Sequence, residues 1–458
     1  MEPNLHHVPL GITLLFTALL TAMIVALALE EKLHAKKSVI VGVFAIVCLL
    51  LGSALGLMPF GDIILPGGNQ LHMPIYIEAV DWEVIAIIVG SSLFVDVTLR
   101  SGLFSWIAIK LTKASGGDPL KLLWYYGVMT VMFSAALNNV TAMIIVGSLS
   151  VVSLERLERR RLLLGFLLIE GLLTNIGGLL TLISSVPNII VGNAAGIGFI
   201  EFFLKSSPYV LVATVFTLWL GARLFGIHGL RSEAERTKAA TLVAGFDEND
   251  GIQSQAFFSF AAFALVAFIL AIATTSITPV VRDLGMGFVA MGFAVVMLIR
   301  YKSEADQFFK AVDWDLILFF MSLFVVINVM EHAEVLALIG SGERWLIGDG
   351  QSAGGVASLL LSSALFSSVT DNIPLAAMLA KILAAQQIPG ESSLWWAVVF
   401  GANLGGNITP IGSASTLVAV TLIHKHGLSL SFGGFVRKAV PYALAQIALA
   451  TVYVLLLL

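Results

Sequence analysis

One glycine-rich polar motif occurs twice in this chain, each time inside an apolar segment. The first copy reads LLTNIGGLLTLISSVPN, from Leu172 to Asn188, and the second reads GANLGGNITPIGSASTL, from Gly401 to Leu417. At membrane depth, polar and glycine-rich backbone is tolerated only where protein or a water-filled cavity covers it. The two copies therefore predict discontinuous helices that meet near the middle of a membrane, as in transporters built from repeats.

The composition agrees with a membrane protein. Of the 458 residues, 58% are hydrophobic and only 12% are charged, and the mean hydropathy is +0.97. Soluble chains are nearer a quarter charged. Apolar windows long enough to cross a bilayer recur along the whole length, without the alternation that is typical of membrane barrels. We therefore expect an all-α, multi-pass integral membrane protein in contact with lipid.

Three landmarks recur in the same order in the two halves of the chain. They are Asp81-Trp82 with Asp313-Trp314, Asn138-Asn139 with Asp371-Asn372, and the two glycine-rich motifs. This order predicts an internal duplication. The first repeat is expected at 1–225, a cytoplasmic connector at 226–254 and the second repeat at 255–458. Each repeat is expected to contain five membrane crossings, one of them broken, and one re-entrant hairpin.

Five is an odd number of crossings, so the second repeat is expected to be inverted relative to the first. If both termini lie outside, nearly all basic residues fall in cytoplasmic connections, as the positive-inside rule requires. The exceptions among the 25 lysines and arginines are Lys205, Arg282, Arg344 and Lys381. This charge distribution predicts a protein of the cell (inner) membrane with both termini outside.

The two broken crossings are expected to stop at Gly177-Gly178 and Gly405-Gly406, because glycine allows the backbone angles that end a helix. The ends of half-helices leave N–H and C=O groups available to ions. The other motif residues expected to line a substrate or ion site are Asn175, Thr181, Ser184, Ser185, Asn188, Asn403, Asn407, Thr409, Gly412, Ser413 and Ser415. The alternative is that these small residues only allow close helix packing.

The tips of the two hairpins supply the remaining candidate residues. These are Asn138, Asn139 and Thr141 in the first half, and Thr370, Asp371 and Asn372 in the second. Asp371 is the one carboxylate in the four motifs, and an ionisable group inside a membrane is functional by default. We therefore predict that coupling depends on Asp371; the alternative is that it only caps the following helix.

Four further carboxylates receive structural interpretations. Asp96 and Glu170 fall within predicted spans, and each is expected to partner a nearby polar group. Glu170 lies five residues before Asn175, so the alternative is that it lies near the cavity and carries the coupling if Asp371 is only a cap. Asp81 and Asp313 begin their spans, where a carboxylate stabilises the N-terminus of a helix.

These motifs resemble those of the ion transporter superfamily, especially its arsenite-permease, citrate-transporter-like and NhaD-type antiporter branch. The resemblance covers essentially the whole chain and is most specific in GANLGGNITPIG, residues 401–412. It implies a homodimer in which hairpins and broken helices move like an elevator. The implied scaffold is the first two helices and the last helix of each half. The chain departs from the family pattern at Asn138, Ser184 and Ser185, where an aspartate, a glycine and an acidic residue are common.

The sequence thus predicts a secondary active transporter. Neither a GxxxxGK[ST] nucleotide-binding loop nor an HExxH metalloprotease motif occurs, so an ATP-driven pump and an intramembrane metalloprotease are disfavoured. The leading hypothesis is arsenite-like efflux of a small inorganic anion or oxyacid. The alternatives are a Na⁺/H⁺ antiporter, a di- or tricarboxylate transporter and a passive channel.

The resemblance also implies Na⁺ or H⁺ as the coupling ion. No other cofactor and no nucleic-acid partner is expected. A bound Na⁺ would be held by Asn139, Asn175, Asp371 and Asn403.

Overall fold

The computed structural model describes residues 8–58, 62–64, 70–72, 74–275, 278–302, 305–347, 352–370 and 372–457. Within these ranges, nine helices are long and apolar enough to cross a membrane. The chain is thus an all-α, multi-pass integral membrane protein, as predicted. Two short antiparallel strands, β1 (Asp62–Ile64) and β2 (Gln70–His72), lie between the second and third long helices.

The helices of the first half follow the predicted order. They are α1 (Leu10–Ala28), α2 (Glu30–Leu33), α3 (Lys37–Ala54), α4 (Ile75–Glu78), α5 (Trp82–Leu99), α6 (Leu103–Ser115), α7 (Pro119–Ala136), α8 (Asn139–Arg156), α9 (Leu163–Gly177), α10 (Val186–Ala195) and α11 (Phe199–Leu224). The predicted hairpin corresponds to α7 and α8. The predicted broken crossing corresponds to α9 and α10, with 3-10 turns at Arg160–Leu162 and Leu182–Ser184.

A connector helix, α12 (Glu233–Ala244), separates this half from the second, which repeats the order of long helices. Its helices are α13 (Gln255–Thr274), α14 (Pro279–Ile299), α15 (Ala305–Ala311), α16 (Trp314–His332), α17 (Val335–Ile347), α18 (Ala353–Ser367), α19 (Asn372–Ala385), α20 (Ser393–Gly405), α21 (Ala414–Lys425) and α22 (Phe432–Leu457). The second hairpin is α18 and α19, and the second broken crossing is α20 and α21. Each part of a broken crossing is too short to span a bilayer alone.

The repeated Asp-Trp landmark forms the same local structure in both halves. The carboxylate of Asp81 accepts the backbone N–H groups of Glu83 and Val84, and that of Asp313 accepts the N–H of Leu316. The indole Nε1 atoms of the following tryptophans donate to the Ile77 and Phe309 carbonyls. Both aspartates are therefore N-caps, which confirms their structural interpretation.

Helices of the two halves pack reciprocally. The second long helix of each half packs against the third of the other, as α3 with α16 and α14 with α5. The second half-helix of each broken crossing also contacts the other half, as α10 with α19 and α20, and α21 with α8 and α9. Reciprocal contacts are what a two-fold relation between two copies produces. The orientation of such an axis in the membrane stays a prediction.

The implied scaffold membership of the last helix of each half is wrong. Helix α11 packs on α7 and α9, and α22 packs on α18 and α20, so both accompany the hairpins and broken crossings. The third long helices, α5 and α16, pack instead with α14 and α3. Two groups of helices result: α1, α3, α5, α13, α14 and α16 in one, and α7–α11 with α18–α22 in the other.

One predicted continuous span contains a break. Helix α14 has non-helical backbone at Gly285, with φ 78° and ψ 170°. The Oε1 atom of Glu83 in α5 accepts the N–H of Met286 at 2.9 Å, which satisfies a donor freed by the break. A Cβ atom at position 285 would lie 2.7 Å from that oxygen, so the position requires glycine.

Candidate functional site

The first break begins at Gly177, the last residue of α9. A Cβ atom there would lie 2.7 Å from the carbonyl oxygen of Val131 in α7, so glycine allows the two helices to touch. The backbone is extended at Thr181, and α10 begins at Val186 with Pro187 in its first turn, where proline is tolerated. The helix thus ends where the sequence predicts.

The second break begins at Gly405, the last residue of α20, and repeats this arrangement. A Cβ atom there would overlap the carbonyl oxygen of Ala364 in α18. The following turn is tight, because a Cβ atom at Gly412 would lie 3.0 Å from the Cα atom of Gly406. Ser413 ends the turn and caps α21.

The same two hydrogen bonds tie each break to its own hairpin. In the first half, the hydroxyl of Ser134 donates to the carbonyl of Thr174 at 2.7 Å, and the hydroxyl of Thr181 donates to the carbonyl of Ala135. The corresponding bonds of the second half run from Ser367 to Ala402 and from Thr409 to Ser368. The duplication is therefore visible in individual hydrogen bonds.

The two breaks also exchange side chains with each other. The Nδ2 atom of Asn175 donates to the Oγ atom of Ser413 at 2.9 Å. The Oγ atom of Ser185 donates to the Oδ1 atom of Asn403 at 2.7 Å. Asn175 and Asn403 occupy equivalent positions of the motif, as do Ser185 and Ser413. Each asparagine thus binds the serine that precedes the second half-helix of the other half.

Further amide and hydroxyl groups enlarge these contacts into two clusters. Asn175 also donates to Asn407 at 2.8 Å and accepts from Ser415 at 3.2 Å. Asn403 donates to the Oδ1 atom of Asn188 at 2.9 Å. All of these side chains are buried. We call them the Asn175 cluster (Asn175, Asn407, Ser413, Ser415) and the Asn403 cluster (Asn403, Ser185, Asn188).

The first hairpin tip reaches the Asn175 cluster through Asn139. Its Oδ1 atom accepts from Ser134 at 2.7 Å, and its Nδ2 atom lies 3.4 Å from the Oδ1 atom of Asn175. Gly178 lies beneath it, since a Cβ atom there would be 2.6 Å from the Asn139 oxygen. Asn138 is exposed and caps α8 by accepting the N–H of Thr141. The structure therefore brings Asn139 to the cluster, whereas Asn138 caps α8 and Thr141 supplies the backbone N–H that Asn138 accepts.

The second hairpin tip lies on a large cavity. Thr370 and Asn372 line a space of about 1070 Å³, together with Ser413 of the Asn175 cluster. Asp371, the predicted coupling residue, lies outside the described residues. Charged residues line the same cavity, among them Lys32, Lys37, Asp313 and Asp315, and the wall between is largely apolar.

The first break offers few free acceptors. The carbonyl oxygens of Gly178 and Thr181 each accept from the hydroxyl of Ser184 and from the Nδ2 atom of Asn188. Within the described ranges, no group of three or more His, Cys, Asp or Glu side chains is placed to hold a metal ion. The Na⁺ site assigned to Asn139, Asn175, Asp371 and Asn403 stays a prediction.

Gln446 is a member of the site that the sequence does not reveal. It is fully buried in α22, and its Oε1 atom accepts from Asn407 at 2.8 Å. Its Nε2 atom donates to the hydroxyl of Thr217 in α11 at 2.9 Å. Helix α22 is thereby hydrogen-bonded to the Asn175 cluster, and α11 is linked to the cluster through Gln446. The one available signal was a lone glutamine inside an apolar span.

Comparison with known proteins adds relatives and structural neighbours. A family profile described as "Citrate transporter" matches residues 18–401. The 46 kDa membrane protein of Mycobacterium leprae is 30% identical over 381 residues, which cover 82% of this chain and 86% of that protein.

Two solved structures share the fold. The YdaH transporter of Alcanivorax borkumensis matches with a TM-score of 0.59 and 11% identity, covering 92% of this chain and 98% of that one. MtrF of Neisseria gonorrhoeae matches with a TM-score of 0.57 and 12% identity, covering 93% and 95%. At this level of identity the likeness concerns the fold alone.

Proposed function

Since the chain belongs to the citrate transporter family of the ion transporter superfamily and is a secondary transporter, we propose that it carries a small inorganic anion or oxyacid, of the arsenite kind. The family match agrees with the resemblance found in the motifs. A transporter of this family has a small ion as its substrate. We propose and test the identity of the substrate ion and the identity of the coupling ion.

The chemistry of the two clusters supports this substrate class. Amides and hydroxyls both donate and accept hydrogen bonds, and they supply the described polar groups of the Asn175 and Asn403 clusters. An oxyacid presents O–H donors and oxygen acceptors to such groups. A multiply charged anion is usually held by arginine or lysine, and among the described residues no lysine or arginine is hydrogen-bonded to either cluster.

We propose that the substrate reaches the site through this cavity. Lys32, Asp315, Thr370, Asn372 and Ser413 all line it, and we propose that the two charged residues form one end and the other three residues form the opposite end. In the orientation that the basic residues predict, the charged end faces the cytoplasm. We therefore propose that this conformation faces inward, with the hydroxyl and amide end of the cavity as the entrance to the site.

The two helix groups suggest how access alternates. The cavity is bounded by α1, α3 and α16 of one group and by α18, α19 and α21 of the other. We propose that the group containing the hairpins and broken crossings moves as one body against the first group, in an elevator-like manner, within a homodimer. The shared hydrogen bonds of Asn175, Asn407 and Gln446 keep the moving group together.

A second candidate substrate is citrate or another di- or tricarboxylate. It is favoured by the family match over residues 18–401. A third candidate, Na⁺/H⁺ antiport, depends on Asp371 and on the coupling ion. These candidates differ in the species that exchanges across the membrane, so one assay separates them.

The test is counterflow in liposomes that contain the purified full-length chain. Vesicles are loaded with unlabelled arsenite, citrate or Na⁺, and uptake of the same labelled species is followed without an ion gradient. We expect arsenite uptake to be stimulated by internal arsenite, because a carrier exchanges its substrate. Stimulation by citrate alone selects the second candidate, stimulation by Na⁺ alone selects antiport, and uptake equal to empty liposomes for all three overturns the proposal.

A further inference from the structure

Glu170 is a buried acid outside both asparagine clusters. It lies in α9 and has no solvent exposure. One carboxyl oxygen accepts a hydrogen bond from the hydroxyl of Ser150 in α8. The other oxygen, Oε2, is buried without a hydrogen-bond partner. An isolated carboxylate is very costly to bury, and this side chain forms no ion pair with any described residue, so it is stable there only with a proton bound.

Hydroxyl groups continue from Glu170 towards α6. Ser153 lies one turn beyond Ser150 on α8, and its hydroxyl is 2.7 Å from the phenol of Tyr126 in α7. The phenol is also 2.7 Å from the hydroxyl of Thr112 in α6. All of these groups are buried. The series ends at Thr112, which is buried, and the next residue of α6, Lys113, is partly exposed.

Other charges stand away from Glu170. Helix α9 packs against α7, α8, α11, α20 and α21. Tyr126 is one titratable group that lies close enough to Glu170 to interact with it electrostatically. The charged or titratable residues in the terminal turns of the same elements are Lys121, Glu155, Arg156, Arg223, His424 and Lys425. Helix α20 carries none.

The other charged or titratable residues on these helices and on the turn before α9 are Tyr125, Arg160, Arg161, Glu201, Lys205 and Tyr209. Glu201 and Lys205 form an ion pair near the start of α11, and Arg160 donates to the His426 carbonyl before α9 begins. Tyr209 of α11 donates to the Gln446 carbonyl. None of these contacts supplies a counter-charge for Glu170.

We infer that Glu170 is a proton-binding site of the transport cycle, with Ser150, Ser153, Tyr126 and Thr112 as its hydroxyl link towards α6. Glu170 precedes Asn175 by five residues of one helix, or ~7.5 Å along its axis. Release of the proton leaves a negative charge beside the Asn175 cluster and weakens the binding of an anion. Proton and anion therefore favour each other's binding by the same factor.

This inference rests on the proposed function, and the test separates the two. Wild-type and Glu170→Gln proteins are compared in liposomes, first in arsenite and citrate counterflow at equal pH and then under an inward pH gradient. Glutamine resembles the protonated acid, so the variant is expected to keep counterflow. Its gradient-driven accumulation of substrate is expected to be at least tenfold lower than that of wild type. Accumulation at the wild-type level in Glu170→Gln overturns the inference.

A second measurement, which needs no substrate, tests proton binding by Glu170 directly. Infrared difference spectra of the full chain between pH 5 and pH 9 are expected to contain a carboxyl band that is absent from Glu170→Gln. Ser150→Ala is expected to displace the pH midpoint of that band. Glu158→Gln, which alters an exposed carboxylate paired with Lys238, is the matched control and is expected to leave the band unchanged.

If no counterflow is found, these spectra still test whether Glu170 is a proton-binding site. A missing wild-type counterflow signal overturns the proposed function, and identical spectra of wild-type and Glu170→Gln protein overturn the proton site. If Glu170→Gln does not fold, Glu170→Asp takes its place: it retains a carboxyl group and is expected to keep gradient-driven transport with an altered pH profile. A Glu170→Asp profile identical to that of wild type overturns the inference.

Discussion

The Nδ2 atom of Asn175 donates to the Oγ atom of Ser413 across the two halves of the chain, at 2.9 Å. The equivalent pair, Ser185 and Asn403, makes the reciprocal contact at 2.7 Å. Each broken crossing is therefore completed by the other. A change in one asparagine is expected to affect both halves.

Replacement of Asn403 by alanine is our first prediction. It removes the acceptor of the Ser185 hydroxyl and the donor to the Oδ1 atom of Asn188, and an unsatisfied buried group costs ~1–3 kcal/mol. We expect a lower unfolding temperature in detergent and loss of counterflow. Asn249→Ala, in the exposed connector, is the control and should behave as wild type. Wild-type transport by Asn403→Ala would show that its cluster only supports packing.

Glycine is predicted to be essential at both breaks. In Gly177→Ala and Gly405→Ala the new methyl group meets backbone of α7 or α18, and such overpacking costs ~1–3 kcal/mol. We expect reduced thermal stability in each variant. Gly433→Ala is a suitable control, because a Cβ atom there meets nothing within 4 Å. Equal stability of all three variants would contradict the close contacts.

Asp371→Asn is predicted to fold and insert but to lose the Na⁺ dependence of transport. Asparagine keeps an acceptor oxygen for a helix cap while removing the negative charge that favours a cation. Transport by proteoliposomes is measured with and without Na⁺ at constant pH. The response to a pH gradient is expected to persist, since we assign it to Glu170. Unchanged Na⁺ dependence would leave Asp371 with a capping role only.

The ion pairs of Glu248 in the connector predict how thermal stability depends on pH. Hydrogen bonds from Lys110 and Lys113 lower the pKa of Glu248 from 4.5 to about 2. Because the folded-state pKa is lowered, the contribution to stability is complete above pH 4.5 and disappears as the pH falls towards 2. Thermal unfolding of wild type and Glu248→Gln is therefore expected to differ at pH 7 and to converge at low pH. A constant difference would exclude this ionisation as the cause.

The orientation in the membrane is also testable. Cys48 is the one cysteine of the chain, so Cys48→Ser provides a background for single-cysteine labelling. With both termini outside, Asn249→Cys in the connector should resist an impermeant maleimide in intact cells. Glu391→Cys, after the second hairpin, should react. The opposite pattern would invert the predicted topology.

Local sequence was sufficient to locate the breaks, the hairpins and the caps. Gly177 and Gly405 could be identified because the motif occurs twice, and Asp81 and Asp313 because a carboxylate before an apolar run caps a helix. The family follows from the same motifs. The inverted orientation of the two repeats in the membrane, the boundaries of the connector and the role of each site residue stay predictions.

Other features depend on contacts that sequence does not encode locally. Gln446 has no counterpart in the first half, and its partners Asn407 and Thr217 are distant in the chain. The break at Gly285 is stabilised by Glu83, which lies in the other half. The place of α11 and α22 beside the broken crossings was mispredicted, because the packing partners of an apolar helix are set by the tertiary arrangement.

The exchange between the two breaks has a consequence for biosynthesis. When the ribosome has completed the first half, Asn175 and Ser185 are already made, whereas Ser413 and Asn403 are still untranslated. The nascent chain must therefore hold a polar, unpaired segment until residues 226–413 have been added. We expect chains truncated before α20 to be retained by the insertion machinery or degraded, and the full-length chain to be released only after the second motif arrives.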